Sequence, residues 1–121
     1  MRIPYSLIGC EDAERTGDMF IMHFDARDGE MAKKVGDYLI TTEGGDAVGC
    51  VVLNHAQPVD DSVLVYPPEG TLMRIRSAIN EDVKQIAEGD DPANAHSFKW
   101  HTDRKVALDE YLAWWESTTL E

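Results

Sequence analysis

Positive charge is scarce in this chain: 11 Lys and Arg stand against 23 Asp and Glu, a formal net charge of −12. From Lys34 to Arg74 no Lys or Arg intervenes. Such a surface repels nucleic acid, so no direct nucleic-acid binding is expected, and it attracts cationic partners. There are only two cysteines, and neither has a partner at metal or redox spacing, so no disulfide framework is expected. Cys10 falls at a strand end, and Cys50, inside Gly49-Cys50-Val51-Val52, reads as a small buried hydrophobe. No apolar stretch approaches the roughly 20 residues of a membrane-spanning helix. The short apolar patch near the N-terminus runs straight into acids, unlike a signal peptide, so a cytoplasmic location is expected.

Motifs of catalysis are missing too. No Gly-x-Ser-x-Gly elbow occurs, and neither cysteine is spaced to pair with a histidine. The Gly44-Gly45 pair is flanked by Glu43 and Asp46, whose charge opposes a phosphate. His55, His96 and His101, with Asp60, Asp61, Asp90 or Asp91, have the chemistry of divalent-metal ligands, but no pair shows four-residue helical spacing. The loop Gly89 to Asn94 lacks the ligand ladder and closing Glu of a calcium loop. No metal and no other cofactor is expected.

What remains is the pattern of a folded domain. A chain of 121 residues, 43% hydrophobic and of full variety, supports a single domain spanning 1–121. Arg2 to Ile8 reads as a strand that Pro4 confines to an edge or end position. Met19 to Phe24 is apolar on both faces, a covered strand, with His23 as a hydrogen-bonded core histidine. Asp25 to Gly29 is turn chemistry, and Glu30 to Val35 reads as one or two helical turns ended by Gly36. Asp37 to His55 reads as a β-hairpin turning at Glu43 to Asp46, its return strand Val48 to Leu53 inside a sheet. Ser62 to Tyr66 is a further strand, stopped by Pro67-Pro68.

Leu72, Ile75, Ile79, Val83 and Ile86 recur at three- and four-residue spacing, which predicts a long helix over about 71–88 capped by Thr71. Residues 89–96 form a loop, and Ser97 to His101 alternates as a last short strand. A C-terminal helix over about 103–117 carries Val106, Leu108, Tyr111, Leu112, Trp114 and Trp115. The expected fold class is α+β: a mostly antiparallel sheet of about five or six strands with these two helices packed on it.

For function, charge supplies one reading. The middle of the chain, 37–98, carries eleven acids against Arg74, Arg76 and Lys84. Asp37, Glu43, Asp46, Asp60, Asp61, Glu69, Asp90 and Asp91 are the candidate residues facing a basic protein partner. In this reading the chain is an accessory protein that acts by binding, as an inhibitor or nucleic-acid mimic. Adjacent residues on a helix point about 100° apart, so one of Trp114 and Trp115, beside Tyr111, is expected to stay exposed or to meet a second subunit. The alternative reading is a small-molecule-binding domain or modest enzyme, with a pocket between sheet and helices lined by Met22, Phe24, Tyr66, Phe98 and Trp100.

Overall fold

The computed structural model describes residues 2–12, 14, 17–43, 46–55, 62–88 and 95–119. In chain order the elements are β1 (Ile3–Cys10), β2 (Met19–Ala26), α1 (Gly29–Ile40), a 3₁₀ turn (Thr41–Glu43), β3 (Val48–Leu53), β4 (Leu64–Tyr66), α2 (Pro68–Glu88) and α3 (Ala95–Thr119). The sheet runs β3-β1-β2-β4. β1 pairs antiparallel with β2 and β3, and β4 joins β2 in parallel, so β1 alone runs against the other three strands. The class is α+β, but among the described residues the sheet is mixed and has four strands, not five or six.

α1 carries the chain from β2 across β1 to the far edge. Asp28, in extended backbone, caps it by accepting from the Met31 N–H at 2.9 Å. That N–H, and then Arg27, hold the Asp28 carboxyl below its ordinary value. Gly36 does not end the helix, because Met31, Ala32, Val35, Gly36 and Leu39 form one buried stripe. A Cβ at position 36 would overlap Val51 Cγ2, so glycine there lets helix and strand close up.

This stripe overturns the expected hairpin. Asp37 to Ile40 has strand composition, but its helical period places Leu39 in the core, and β3 pairs with β1 instead. Gly44 and Gly45 lie outside the described residues. β3 is an edge strand, and Cys50 is exposed, not buried. Pro4 sits at the end of β1, where the Asn54 N–H donates to its carbonyl at 3.0 Å.

α2 follows the predicted helix closely but opens at Pro68, whose missing N–H costs nothing in the first turn. Thr71 is therefore not the cap. It is fully buried, and its hydroxyl donates to the His23 carbonyl at 3.0 Å, tying α2 to β2. Ser97 to His101 is not a strand: it is the first part of the 25-residue α3, as are residues 95 and 96 of the expected loop.

The core joins Leu7, Phe20, Met22, Phe24 and Ala26 from the sheet to Val35 and Leu39 of α1, Ile75 and Ile79 of α2, and Leu108 and Tyr111 of α3. Tyr111 donates to the Asp25 carbonyl at 2.6 Å, and its ring meets Phe24 edge-on at 6.3 Å. Among the described residues no helix is long and apolar enough to cross a membrane.

Candidate functional site

Two inward-facing stripes meet between α2 and α3, and both carry charge where apolar residues would continue them. On α2 the buried positions are Thr71, Ile75, Ala78, Ile79 and then Asp82. On α3 the spacing His101, Arg104, Leu108, Tyr111 and Trp115 keeps one face toward the core. Asp82 is fully buried. Its Oδ1 lies 2.5 Å from His101 Nδ1, and its Oδ2 lies 2.9 Å from Arg104 Nε. The Arg104 contact is an ion pair without hydrogen-bond alignment.

Arg104 is anchored on its other side by the end of α1. Its guanidinium donates to Thr41 Oγ1 at 2.7 Å, while the Thr41 and Thr42 hydroxyls donate to the Tyr38 and Leu39 carbonyls, each at 2.6 Å. A cation at the negative end of α1 is favourable. Burial pushes the Arg104 guanidinium below its ordinary value, while Asp82 and Glu81 oppose the change. Trp100 completes this corner, edge-on to the His101 ring at 4.8 Å and to Tyr38 at 6.0 Å.

A cavity of about 460 Å³ opens beside these groups, bordered by Thr41, Thr42, Arg74, Ser77, His101 and Arg104, with Trp100 and Glu81 at its wall. Arg74 stacks over the Tyr66 ring at 4.1 Å and donates to its hydroxyl at 2.5 Å. The cavity thus gathers two of the few Arg residues of an acidic chain with three hydroxyls, one aromatic face, one histidine and the Glu81 carboxylate. His101, whose Nδ1 faces the buried carboxylate, thus also borders the cavity.

A second histidine cluster lies in the sheet. Ser6 Oγ and Asn54 Nδ2 converge on His23 Nδ1 at 2.9 and 3.2 Å. His23 is a hydrogen-bonded histidine of the fold. Among the described residues, no group of three or more His, Cys, Asp or Glu is arranged to hold a metal ion.

Of the expected pocket residues, only Trp100 borders this cavity, with Tyr66 behind Arg74. Met22 and Phe24 are in the closed core, and Phe98 is 43% exposed on α3. Among the expected acidic residues, Asp37, Asp46 and Glu69 are exposed but do not converge: Asp46 precedes β3 at one sheet edge, and Glu69 opens α2 beside β4 at the other. Glu43 ends the 3₁₀ turn. Asp60, Asp61, Asp90 and Asp91 lie outside the described residues. Tyr111 is buried, and Trp114 and Trp115 are both half-buried against it, at 5.7 and 6.5 Å between rings.

Asp82 and Arg104 were missed as site residues because each reads locally as surface charge. Their signal was a pair of opposite charges in phase with two apolar stripes. No family model, curated protein or solved structure matches this chain. Its function is therefore argued from this geometry alone.

Proposed function

We propose that the protein binds a small acidic molecule, a carboxylate or phosphate ester, in the cleft between the end of α1, α2 and the first third of α3. The observation that carries this reading is the buried Asp82, held between His101 and Arg104 at the wall of a 460 Å³ cavity. Apolar residues at such positions commonly give equal or better stability than a buried ion pair, so the charges are best explained by what they meet. Asp82 orients His101 through Nδ1, and Arg104 braces Asp82 against Thr41. Arg74 then supplies the donors for an acid group, with Ser77 as hydroxyl partner, His101 at the border and Trp100 as an apolar wall.

The experiment is a panel of small carboxylates and phosphate monoesters, screened by thermal shift and ligand-detected NMR against the wild type and Arg74→Ala. A member that stabilises the wild type and loses its effect in the variant supports the reading. A panel without a binder, or a binder indifferent to Arg74→Ala, sinks it. The basic-partner reading rests on the charge of −12. A second-subunit contact through α3 finds less support, because Trp114 and Trp115 meet Tyr111 and Arg2 of the same chain.

A further inference from the structure

The two edges of the sheet are protected very differently. β4 is three residues long and runs into Pro67-Pro68, and a short edge closed by proline invites little pairing. β3 is six residues long, Val-Gly-Cys-Val-Val-Leu, with no charge, no proline and an unbroken register against β1. Within the strand itself, none of the usual devices that blunt an edge is present.

The direction of its free groups follows from the ladder. The Asn54 N–H donates to the Pro4 carbonyl, so the pair 4↔54 is of the hydrogen-bonded kind. In antiparallel pairing these alternate, so Val52, Cys50 and Val48 also bond to β1. Gly49, Val51 and Leu53 therefore turn their N–H and C=O groups away from the sheet. Leu53 is 43% exposed.

Toward the Cys10 end of this edge, on the sheet face opposite the helices, the side chains are apolar. Ile8, Cys10, Met19, Val48 and Cys50 border a cavity of about 240 Å³, with Met19 36% and Val48 37% exposed. Among the described residues, Glu11, Asp18 and Asp46 are exposed at the end of the sheet where Cys10, Met19 and Val48 lie side by side. A second copy would bring −12 against −12.

We propose that β3 is a docking edge, where an extended segment of another protein, flanked by Lys or Arg, adds as an outer strand. Its backbone pairs with Gly49, Val51 and Leu53. Alternate apolar side chains reach over the Val48–Cys50 face, and its basic ends meet the acidic end of the sheet. This site is separate from the cleft and stands whether or not a small molecule binds there.

The probe is the labelled peptide Lys-Lys-Thr-Val-Thr-Val-Thr-Lys-Lys, followed by fluorescence anisotropy against the whole chain. Saturable binding is expected that weakens with salt, is lost when Glu replaces each Lys, and falls about tenfold in Leu53→Pro, the worth of one backbone hydrogen bond. Should Leu53→Pro fail to fold, two versions of the same peptide, one N-methylated on both valines and one on its threonines, test the pairing on the wild-type protein, and one of the two should bind equally weakly. No saturable binding, equal binding of the acidic peptide, or indifference to N-methylation overturns the proposal. So does sedimentation showing a dimer of the chain that Leu53→Pro dissolves, since the occupant is then a second copy.

Discussion

Asp82 Oδ1 and His101 Nδ1 stand 2.5 Å apart, from the middle of α2 to the first third of α3, with the carboxylate wholly out of solvent. A carboxylate in that position must be matched on both oxygens, and His101 and Arg104 are the groups that do it. The arrangement couples packing to chemistry: the same contact that joins the two helices also holds the imidazole that borders the cleft.

Removing the carboxylate should be costly because Arg104 is only 5% exposed. Asp82→Ala leaves that guanidinium buried without its counter-charge, a loss of about 3–5 kcal/mol. The double variant Asp82→Leu/Arg104→Met should recover most of the loss in urea denaturation, since neither charge is then stranded. A double variant as unstable as the single one would mean that stability there depends on shape and not on charge.

The packing of α1 on β3 makes a prediction of opposite sign to helix propensity. Glycine to alanine inside a helix ordinarily gains up to about 1 kcal/mol. At Gly36 the new methyl overlaps Val51 Cγ2, and overpacking costs about 1–3 kcal/mol. Gly36→Ala should lower Tm, and Gly36→Ala/Val51→Ala should regain part of it. A rise in Tm for the single variant would show that helix and strand part easily.

Much of this fold was readable where one period dominates. Met19 to Phe24 and the stripe through Ile75 and Ile79 became the strand and the helix expected, while Val48 to Leu53 became a strand but at the edge of the sheet and not inside it. Asp37 to Ile40 and Ser97 to His101 failed for a common reason. Each is a short run with strand composition embedded in a longer helical period, and burial of Leu39 or of the His101–Arg104–Leu108 face outweighs local preference. The site was least legible, because pairing between Asp82 and Arg104 depends on two helices crossing at one depth, which neither helix encodes alone. Trp100 reached the cleft for a reason other than the strand face on which it was expected.

At the N-terminus of the fold, Arg2 lies over the Trp115 ring at 3.9 Å and donates through Nε to Thr118 Oγ1 at 2.7 Å. This clasp ties the start of β1 to the end of α3. Trp115→Ala should destabilise by roughly 2 kcal/mol, below the figure for a fully buried tryptophan because the indole is half-buried. Hydrogen exchange should then quicken first in residues 2–5. Unchanged exchange there would show that β1 is held by its sheet partners alone.

Tyr111 links stability to alkaline pH. Burial is the chief cause that raises its phenol well above the ordinary 10.0, and Asp25 adds to the shift. The folded state therefore holds this proton more tightly than the unfolded chain does. Its contribution is fully present below about pH 10 and declines as pH rises above that value, because only the unfolded state then gains by ionising. Tyr111→Phe removes the donor to the Asp25 carbonyl, leaving a buried acceptor unmatched at a cost of about 1–3 kcal/mol near neutral pH. The gap between wild type and variant should narrow as denaturation is repeated at increasing alkaline pH, since phenylalanine has no proton to lose. Absorbance titration supplies the independent check: one tyrosine should ionise only with unfolding in the wild type, and that delayed step should be missing in Tyr111→Phe. A constant gap across the alkaline range would place the Tyr111 hydroxyl in contact with water.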